Sequence, residues 1–334
     1  MTAGDGLVTR LWYGDSPWVW LLAPFSALFA AASAVRRLLY RRGVWRAVDV
    51  GRPVVVVGNV SVGGTGKTPV TLWLAQQLKA RGRRPGIVSR GYRGRLGPRP
   101  VHVRTDSDPA VVGDEPLLME RRRVCPVVVH PDRVAAARML VDMDCDVIVA
   151  DDGLQHYRLA RRFEIAVVDG VRGMGNGLCL PAGPLREPPE RLQDVDAIVV
   201  NGGDWGHAGV FRATPVVTRV RQITRGAERP LESFAQQTVH AVAGIGHPQR
   251  FFDLLEDAGL EVVPHPLDDH AELTAEMLRF DEPGPVLVTE KDAVKCAQIA
   301  HDDVWAVCID LTFPADAAAR LLRLLLRDLQ ARPA

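Results

Sequence analysis

The feature that most constrains the fold is the stretch VVVVGNVSVGGTGKTP, residues 54–69. Its leading valines are β-branched and have no polar interruption, which is typical of a strand covered on both faces. The glycines allow a tight turn, and Lys67, Thr68 and Pro69 predict the start of a helix over about residues 69–81. A strand that runs through a glycine-rich turn into a helix predicts an α/β fold with a parallel sheet.

Residues 61–68, which we call the phosphate loop, follow the pattern G-x-x-x-x-G-K-[ST] except that Ser61 replaces its first glycine. In such loops backbone N–H groups surround phosphate oxygens, while the lysine reaches the β- and γ-phosphates and the hydroxyl reaches Mg²⁺. Gly63 and Gly64 still supply conformational freedom. An ordinary glycine turn is the alternative, but it leaves Lys67 and Thr68 unexplained. The predicted nucleotide contacts in this loop are Ser61, Val62, Gly63, Gly64, Thr65, Gly66, Lys67 and Thr68.

Apolar strand patterns alternate with helical patterns through the rest of the chain. Further strands are predicted at residues 86–89, 127–130, 147–150, 165–168 and 197–200. The pattern predicts a P-loop NTPase-like, mainly parallel sheet with helices on both faces, and ligands bind such sheets at the edge that follows the strands. A second, smaller α/β unit begins near Thr214. We predict four parts: residues 1–45 (apolar helix and basic segment), 46–212 (P-loop core), 213–314 (smaller α/β domain) and 315–334 (C-terminal helix).

Two acidic motifs lie at predicted strand or helix ends. Asp151 and Asp152 end the apolar strand of DVIVADDGLQH, and in phosphate-loop proteins a carboxylate in this place holds the Mg²⁺ shell. In VGDEP, Asp114 precedes a helical pattern, so it is either a helix cap or a general base for an attacking hydroxyl. His270 in PLDDH is either an exposed loop residue or a partner that orients such a base.

The N-terminal region predicts a membrane-associating helix. Residues 16–35 contain no charge, and a helix of this length is roughly 30 Å long, close to the thickness of a bilayer core. Arginines follow the apolar run instead of preceding it, which argues against a cleaved signal peptide and places the rest of the chain on the cytoplasmic side. A buried core helix is the alternative, and a spanning and an interfacial helix both fit.

Arginines are concentrated in two segments. Residues 36–52 hold six arginines and one aspartate, and residues 81–104 hold eight arginines without a carboxylate. These segments are either solvated faces or surfaces that attract an anionic membrane or substrate, and we expect no nucleic-acid partner. The cysteines lack CxxC spacing, so we predict neither disulfides nor a zinc site.

Six segments in order resemble the tetraacyldisaccharide 4′-kinases, the lipid A 4′-kinases of Gram-negative bacteria. These segments are GNVSVGGTGKTP, SRGYRG, VGDEP, DDGLQH, LPAGPLREP and VTEKDAVK, and with the apolar helix they extend over about residues 17–295. The resemblance implies transfer of the ATP γ-phosphate to the 4′-hydroxyl of a tetraacylated disaccharide 1-phosphate, giving lipid IVA. It also implies an enzyme at the cytoplasmic face of the inner membrane.

The resemblance further implies roles for individual residues. Asp114 corresponds to the catalytic base and His270 to its dyad partner, with Lys67 on the phosphates. Mg²⁺ and the phosphates are implied to lie near Thr68, Asp151, Asp152 and Glu187. The residues implied to lie near the nucleoside are Thr289, Glu290, Lys291 and Asp292.

Two other functions are compatible with a phosphate loop. A membrane-associated partitioning ATPase would act as a nucleotide switch, but such proteins carry lysine at the start of K-G-G-x-G-K-T, where this chain has Val62. A soluble small-molecule kinase or synthetase would have no use for the apolar N-terminal helix.

Overall fold

The computed structural model describes residues 3–14, 16–268, 271, 273–296, 298–299 and 301–330. Its helices are α1 Ala3–Tyr13, α2 Trp18–Arg41, α3 Lys67–Lys79, α4 Pro109–Val112, α5 Asp114–Arg121, α6 Arg133–Asp142, α7 Gln249–Asp257, α8 Glu290–Cys296 and α9 Ala315–Gln330. Its strands are β1 Val54–Gly58, β2 Pro85–Ser89, β3 Val101–His102, β4 Val127–Val129, β5 Val147–Asp151, β6 Phe163–Asp169, β7 Ala197–Asn201, β8 Phe211–Gln222, β9 Glu228–Arg229, β10 Thr238–Ala243, β11 Glu261–Pro266, β12 Val286–Thr289 and β13 Val304–Thr312. Short 3₁₀ helices cover Pro189–Asp194, Leu231–Phe234 and Glu276–Leu278.

The strands form one sheet in the order β11-β10-β12-β13-β8-β7-β6-β1-β5-β2-β4-β3, with β9 paired to β8. Strand β1 pairs in parallel with β5 and β6, and β2, β4, β7 and the start of β8 continue the parallel part. Strand β3 is antiparallel to β4, and β13 is antiparallel to β8. The predicted mainly parallel α/β sheet is confirmed, and the loops after β1, β2, β5, β6 and β7 meet at one edge.

Strand β1 shows why the valine run is apolar throughout. Val55 and Val57 pack into a core that also contains residues of α3, α5 and α9, whereas Val54 and Val56 pack on the opposite face with α6. Helices therefore cover both faces of the parallel sheet, as predicted, and a strand in this position has no solvent-facing side.

Strand β8 joins the two halves of the sheet. Residues 211–213 pair in parallel with β7, and residues 214–222 then pair antiparallel to β13. Beyond it, β10, β11 and β12 are parallel to one another and pack with α7 and α8. The predicted division between residues 212 and 213 falls inside β8, and the four-part division stays a prediction. Helix α9 returns to the first half, where Leu321 and Leu325 share the core of Val55.

Helix α2 contacts the rest of the chain along one narrow stripe. Ser26 is its buried residue, while Trp20 is 80% and Leu28 70% exposed, so α2 is not a buried core helix. Within the described part of the chain it is the one helix long and apolar enough to cross a membrane. Ala23 and Ala30 are half-buried on the body side.

A buried ion cluster joins α5 to the second half of the sheet. Arg122, which follows α5, contacts Glu290 at 2.5 Å and Asp310 at 2.9 Å, and donates to the Ile309 carbonyl oxygen at 2.9 Å. Its side chain is only 6% exposed. Burial and Glu290 act in opposite directions on the guanidinium, and its acidic neighbours leave the pKa of Arg122 raised.

Replacing Arg122 with methionine should lower the free energy of unfolding by about 3 kcal/mol, because it leaves the partly buried carboxylates of Glu290 and Asp310 without their counter-charge. Urea unfolding followed by circular dichroism measures the change. The matched control is Arg225→Met, because Arg225 pairs with Asp302 in an exposed setting and an exposed pair contributes at most about 1 kcal/mol. Equal losses in the two variants would contradict the assignment of Arg122 as a buried link.

Candidate active site

The phosphate loop lies between β1 and α3, with its special backbone geometry at two glycines. Gly63 has φ of 98° and Gly66 has φ of 84°, values that favour glycine. A Cβ on Gly66 would lie 2.0 Å from Nδ2 of Asn201, which donates to the Thr65 carbonyl oxygen at 3.0 Å. A Cβ on Gly64 would meet open space, and its φ is not positive. The freedom predicted for Gly63 and Gly64 is therefore used at Gly63 and Gly66.

A backbone pairing explains why serine can stand at position 61, where the motif has its first glycine. The Val62 amide donates to the Pro184 carbonyl oxygen at 2.7 Å, and the Arg186 amide donates to the Val60 carbonyl oxygen at 2.6 Å. Ser61 forms an antiparallel bridge with Leu185. Residues in such a bridge are extended, so the first position of the loop does not need the conformations that only glycine reaches easily.

The acidic pair lies beside the loop at the end of β5. Asp151 is 1% exposed, and its carboxylate accepts from Thr71 Oγ1 at 3.2 Å and from Ser89 Oγ at 3.5 Å. Asp152 has φ of 48°, a left-handed conformation that aspartate tolerates better than most residues. This turn separates the two carboxyl groups, which therefore meet different neighbours.

Asp152 lies in a cluster of cations. Lys67 Nζ is 3.7 Å from Asp152 Oδ1, and Nη1 of Arg186 is 3.0 Å from both carboxylate oxygens. Arg133 donates to the Asp152 backbone carbonyl at 2.7 Å. Burial alone would raise the pKa of Asp152, but Lys67, Arg186 and Arg133 outweigh it and lower that pKa to about 2.

The two carboxyl groups have opposite pKa shifts. Burial, helped by the negative charges of Glu115 and Asp152, raises the pKa of Asp151 to about 7, although Lys67 and Arg133 oppose the shift. The pair therefore holds one carboxylate that is ionised at neutral pH and one that gains charge easily when a cation approaches.

Glu187 lies in a separate buried network. Its oxygens accept from Gln155 Nε2 at 2.9 Å and from the Tyr157 hydroxyl, and Arg191 Nε lies 3.7 Å away. Gln155 also donates to the Asn59 carbonyl oxygen at 3.0 Å, next to the phosphate loop. These contacts describe a residue that holds Gln155 in place, and the metal role predicted for Glu187 stays a prediction.

Helix α5 brings Glu115 of the VGDEP motif to the same region, whereas Asp114 is not among the residues that line the cavity described below. Gly113 occupies the cap position and Asp114 is the first residue of the helix, so Asp114 is not the cap residue that one alternative required. Its neighbour Glu115 faces the site, with Oε1 3.9 Å from Lys291 Nζ at the start of α8. His270 lies outside the described residues.

The VTEKDAVK motif divides into two groups. Thr289, Glu290 and Lys291 line the cavity described below. Asp292 is fully buried, and its Oδ2 accepts from Thr289 Oγ1 at 2.7 Å and from the Gly244 amide at 2.9 Å. Lys295 adds an ion pair at 3.1 Å. Asp292 therefore fixes the junction between β12 and α8, which carries the other three residues.

One cavity of about 1120 Å³ connects the phosphate loop, the acidic pair and the start of α8. Its wall includes the phosphate loop from Val62 to Thr68, both Asp151 and Asp152, and the cavity-facing residues of α8. At the opposite end it reaches α2 at Phe29, Ser33 and Arg36. Arg90, Tyr92 and Arg93 of the SRGYRG segment lie in the same wall.

Several residues that organise the site were not predicted from sequence. Arg172 donates to the Gly64 carbonyl oxygen at 2.7 Å and pairs with Asp169 at 3.0 Å, and Arg250 of α7 also pairs with Asp169 at 2.9 Å. Asp169 and Asn201 end β6 and β7. Their position at the ends of predicted strands was the available signal, since Asp151 ends β5 in the same way.

Comparison with known proteins agrees with this geometry. The family described as tetraacyldisaccharide-1-P 4′-kinase matches residues 18–326. The chain belongs to the tetraacyldisaccharide 4′-kinase family. Kinases of this name from Alkalilimnicola ehrlichii and Nitrosococcus oceani are 53% identical over 297 residues and 48% identical over 326 residues. These alignments cover 86% and 97% of this chain, and 87% and 96% of the two relatives.

A solved structure supports the fold of this kinase family member. LpxK from Aquifex aeolicus in complex with ATP is similar with a TM-score of 0.79 and 27% sequence identity, over 93% of this chain and 99% of that chain. The family and the fold predicted from the motifs are therefore confirmed.

The opposite pKa shifts in this kinase predict opposite effects of two similar substitutions in the metal-free protein. A folded-state pKa of about 7 for Asp151, above its ordinary 3.8, means that stability is present below the ordinary value and is lost as the pH rises toward 7. Asp151→Asn should therefore be more stable than the parent at pH 8, and this advantage should shrink as the pH falls toward 4.

For Asp152 the lowered pKa means that stability is present above the ordinary value and is lost only as the pH falls toward 2. Asp152→Asn should therefore be less stable than the parent throughout pH 5 to 8. Urea unfolding at several pH values in a chelating buffer measures both variants. Shifts of the same sign at pH 8 would contradict the assigned electrostatics.

Proposed function

We propose that this chain transfers the γ-phosphoryl group of ATP to the 4′-hydroxyl of a tetraacylated glucosamine disaccharide 1-phosphate, giving lipid IVA. The observation that carries the proposal is a cavity that reaches from the phosphate loop to Phe29, Ser33 and Arg36 of the exposed apolar helix α2. A lipid with a sugar headgroup needs a phosphate-binding site near its sugar and an apolar surface near its acyl chains. Family membership supports the same reaction.

The phosphate loop fits ATP. Lys67 and Thr68 begin α3 and line the cavity, where a helix N-terminus favours the negative charge of phosphates. Thr65 Oγ1 is buried and has no hydrogen-bond partner among the described residues. With nucleotide bound, Lys67 would exchange its contact to Asp152 for the β- and γ-phosphates.

The residues also fit Mg²⁺. Among the described residues no group of three or more histidines, cysteines, aspartates or glutamates is arranged to hold a metal. Mg²⁺ does not require one, because it is commonly held by one or two carboxylates, phosphates and water. Asp151, Asp152 and Thr68 line the cavity and would hold the ion, which neutralises charge on the phosphates.

Asp114 is the base in this proposal. It would accept the proton of the acceptor hydroxyl while that oxygen bonds to the γ-phosphorus and the bond to the ADP oxygen breaks. His270 would orient or share the proton with Asp114, and Thr289, Glu290 and Lys291 would lie near the nucleoside. Arg90 and Arg93 would attract the anionic acceptor into the cavity.

The membrane placement follows from α2. Its exposed face carries large apolar residues such as Trp20, Phe25 and Leu28, whereas its inner stripe makes ion pairs and hydrogen bonds with the body, including Arg37 with Asp194 at 2.8 Å. A spanning orientation would draw the polar body into hydrocarbon or break these contacts. We therefore propose that α2 lies in the interface at the cytoplasmic face of the inner membrane, where the lipid acceptor is found.

Asp114→Asn should lower turnover by about 10²- to 10⁴-fold, because the acceptor hydroxyl loses its proton acceptor. Affinity for a non-hydrolysable ATP analogue should stay within about twofold, since the loop and the acidic pair are unchanged. Product formation is measured with the acylated disaccharide in detergent. The control is Asp106→Asn, which alters an exposed carboxylate on the chain leading to α4.

Near-normal turnover of Asp114→Asn would remove Asp114 as the base. ATP consumption is measured with and without the acceptor in the same experiment, and the proposal requires acceptor dependence. Equal hydrolysis in its absence would favour the nucleotide-switch alternative and contradict the kinase assignment.

The double variant Trp20→Glu and Leu28→Glu should reduce binding to vesicles by at least about tenfold, because each change removes a large apolar contact. Flotation with vesicles that contain anionic lipid measures binding. Met277→Glu is the control: its side chain is exposed in the second half of the chain, so its binding should stay within about twofold of the parent. Unchanged flotation of the double variant would contradict the interfacial placement of α2.

A further inference from the structure

The buried residue of the apolar helix is a serine whose hydroxyl is fully engaged. Ser26 is 3% exposed, donates to the Cys179 carbonyl oxygen at 2.7 Å and accepts from the Ala182 amide at 2.9 Å. A small apolar residue would suffice to pack the helix. The hydroxyl instead satisfies two backbone groups of one loop segment, so it fixes where that segment lies.

This segment, residues 179–186, is called the connector here, and its other side holds the nucleotide site. Pro184 and Arg186 make the backbone hydrogen bonds to Val62 and Val60, and the Arg186 guanidinium contacts both oxygens of Asp152. The connector therefore touches α2 on one side and the phosphate loop on the other. Only a few residues of chain separate its contacts with α2 from its contacts with the phosphate loop.

We propose that Ser26 is a positioning residue for the nucleotide site. Its two hydrogen bonds set the connector, the connector sets the start of the phosphate loop and the guanidinium of Arg186, and the placement of α2 is thereby linked to ATP binding. The inference rests on the proposed function only in taking ATP as the nucleotide. It assigns the serine a role distinct from membrane anchoring.

Other contacts hold α2 when Ser26 is changed. Ser33 Oγ donates to the Arg186 carbonyl oxygen at 3.4 Å, and Arg37 and Arg41 both pair with Asp194. The exposed apolar face does not include Ser26, so vesicle binding depends on other residues. Removing the hydroxyl should therefore disturb the connector and leave the helix in place.

The test is Ser26→Ala, measured first without acceptor or membrane. Affinity for a fluorescent ATP analogue with Mg²⁺ should fall by about tenfold, because the loop and Arg186 lose part of their fixed geometry. Flotation with anionic vesicles should stay within about twofold of the parent. With acceptor in detergent, KM for ATP should rise by the same factor as the loss of analogue affinity.

The matched control is Ala27→Ser, which changes an exposed neighbour on the same helix and should leave nucleotide affinity within about twofold. Trp12→Phe in α1 provides a second variant. It keeps an aromatic ring but removes the hydrogen bond from Trp12 Nε1 to the Pro181 carbonyl oxygen of the connector, and it should weaken analogue binding in the same direction. The Trp12→Phe measurement remains informative if Ser26→Ala does not fold.

Unchanged analogue affinity in the variants would overturn the proposal, and a loss confined to vesicle flotation would make Ser26 a residue of the membrane anchor only. Failure of the kinase assignment has a different signature, because it would appear as the absence of phosphorylated acceptor with the parent chain. The nucleotide measurements need no acceptor, so the two outcomes are separable.

Discussion

The backbone pairing between residues 60–62 and residues 184–186 is the constraint on which the active site depends. It holds the start of the phosphate loop, and Asn201 holds the loop further along, where its amide contacts the Thr65 carbonyl oxygen and leaves no room for a side chain at Gly66. A loop fixed at two places loses little conformational freedom when phosphates bind. The same pairing explains why serine replaces the usual first glycine, because an extended, paired residue has no need of positive φ.

In the proposed nucleotide complex, anionic ligands would replace contacts that already exist around this loop. Lys67 and Arg186 surround Asp152, whose pKa is lowered to about 2, whereas burial keeps the pKa of Asp151 near 7. Phosphates would pair with Lys67 and Arg186, and a divalent ion would pair with the two carboxylates. The site would therefore exchange one set of ion pairs for another. The strain of the left-handed Asp152 belongs to this arrangement.

The sequence predicted the features that depend on local pattern. The valine strand, the glycine turn and the acidic pair are each encoded by adjacent residues, and their meeting at one edge follows from parallel pairing. Contacts between distant segments had no such signal: Arg172 is paired with Asp169 and reaches Gly64 across more than a hundred residues of chain. Glu187 follows Arg186 in sequence, yet the two side chains have different partners. Glu187 lies in a buried network with Gln155 and Tyr157, so its predicted metal role has no direct support.

Helix α2 shows the limit of composition as a guide. Its apolar content fits a membrane span, but the helix carries a stripe of Ser26, Ser33 and Arg37 at helical spacing, and each of these side chains bonds to the segment 179–194. Polar groups in hydrocarbon must find partners within the protein, and these partners belong to the folded body beside the nucleotide site. The polar stripe of α2 therefore faces the protein body, whereas the polar face of an ordinary amphipathic helix faces water. In the proposed membrane placement, the large residues of α2 would face lipid while its polar stripe stays attached to the loop that supports the phosphate site.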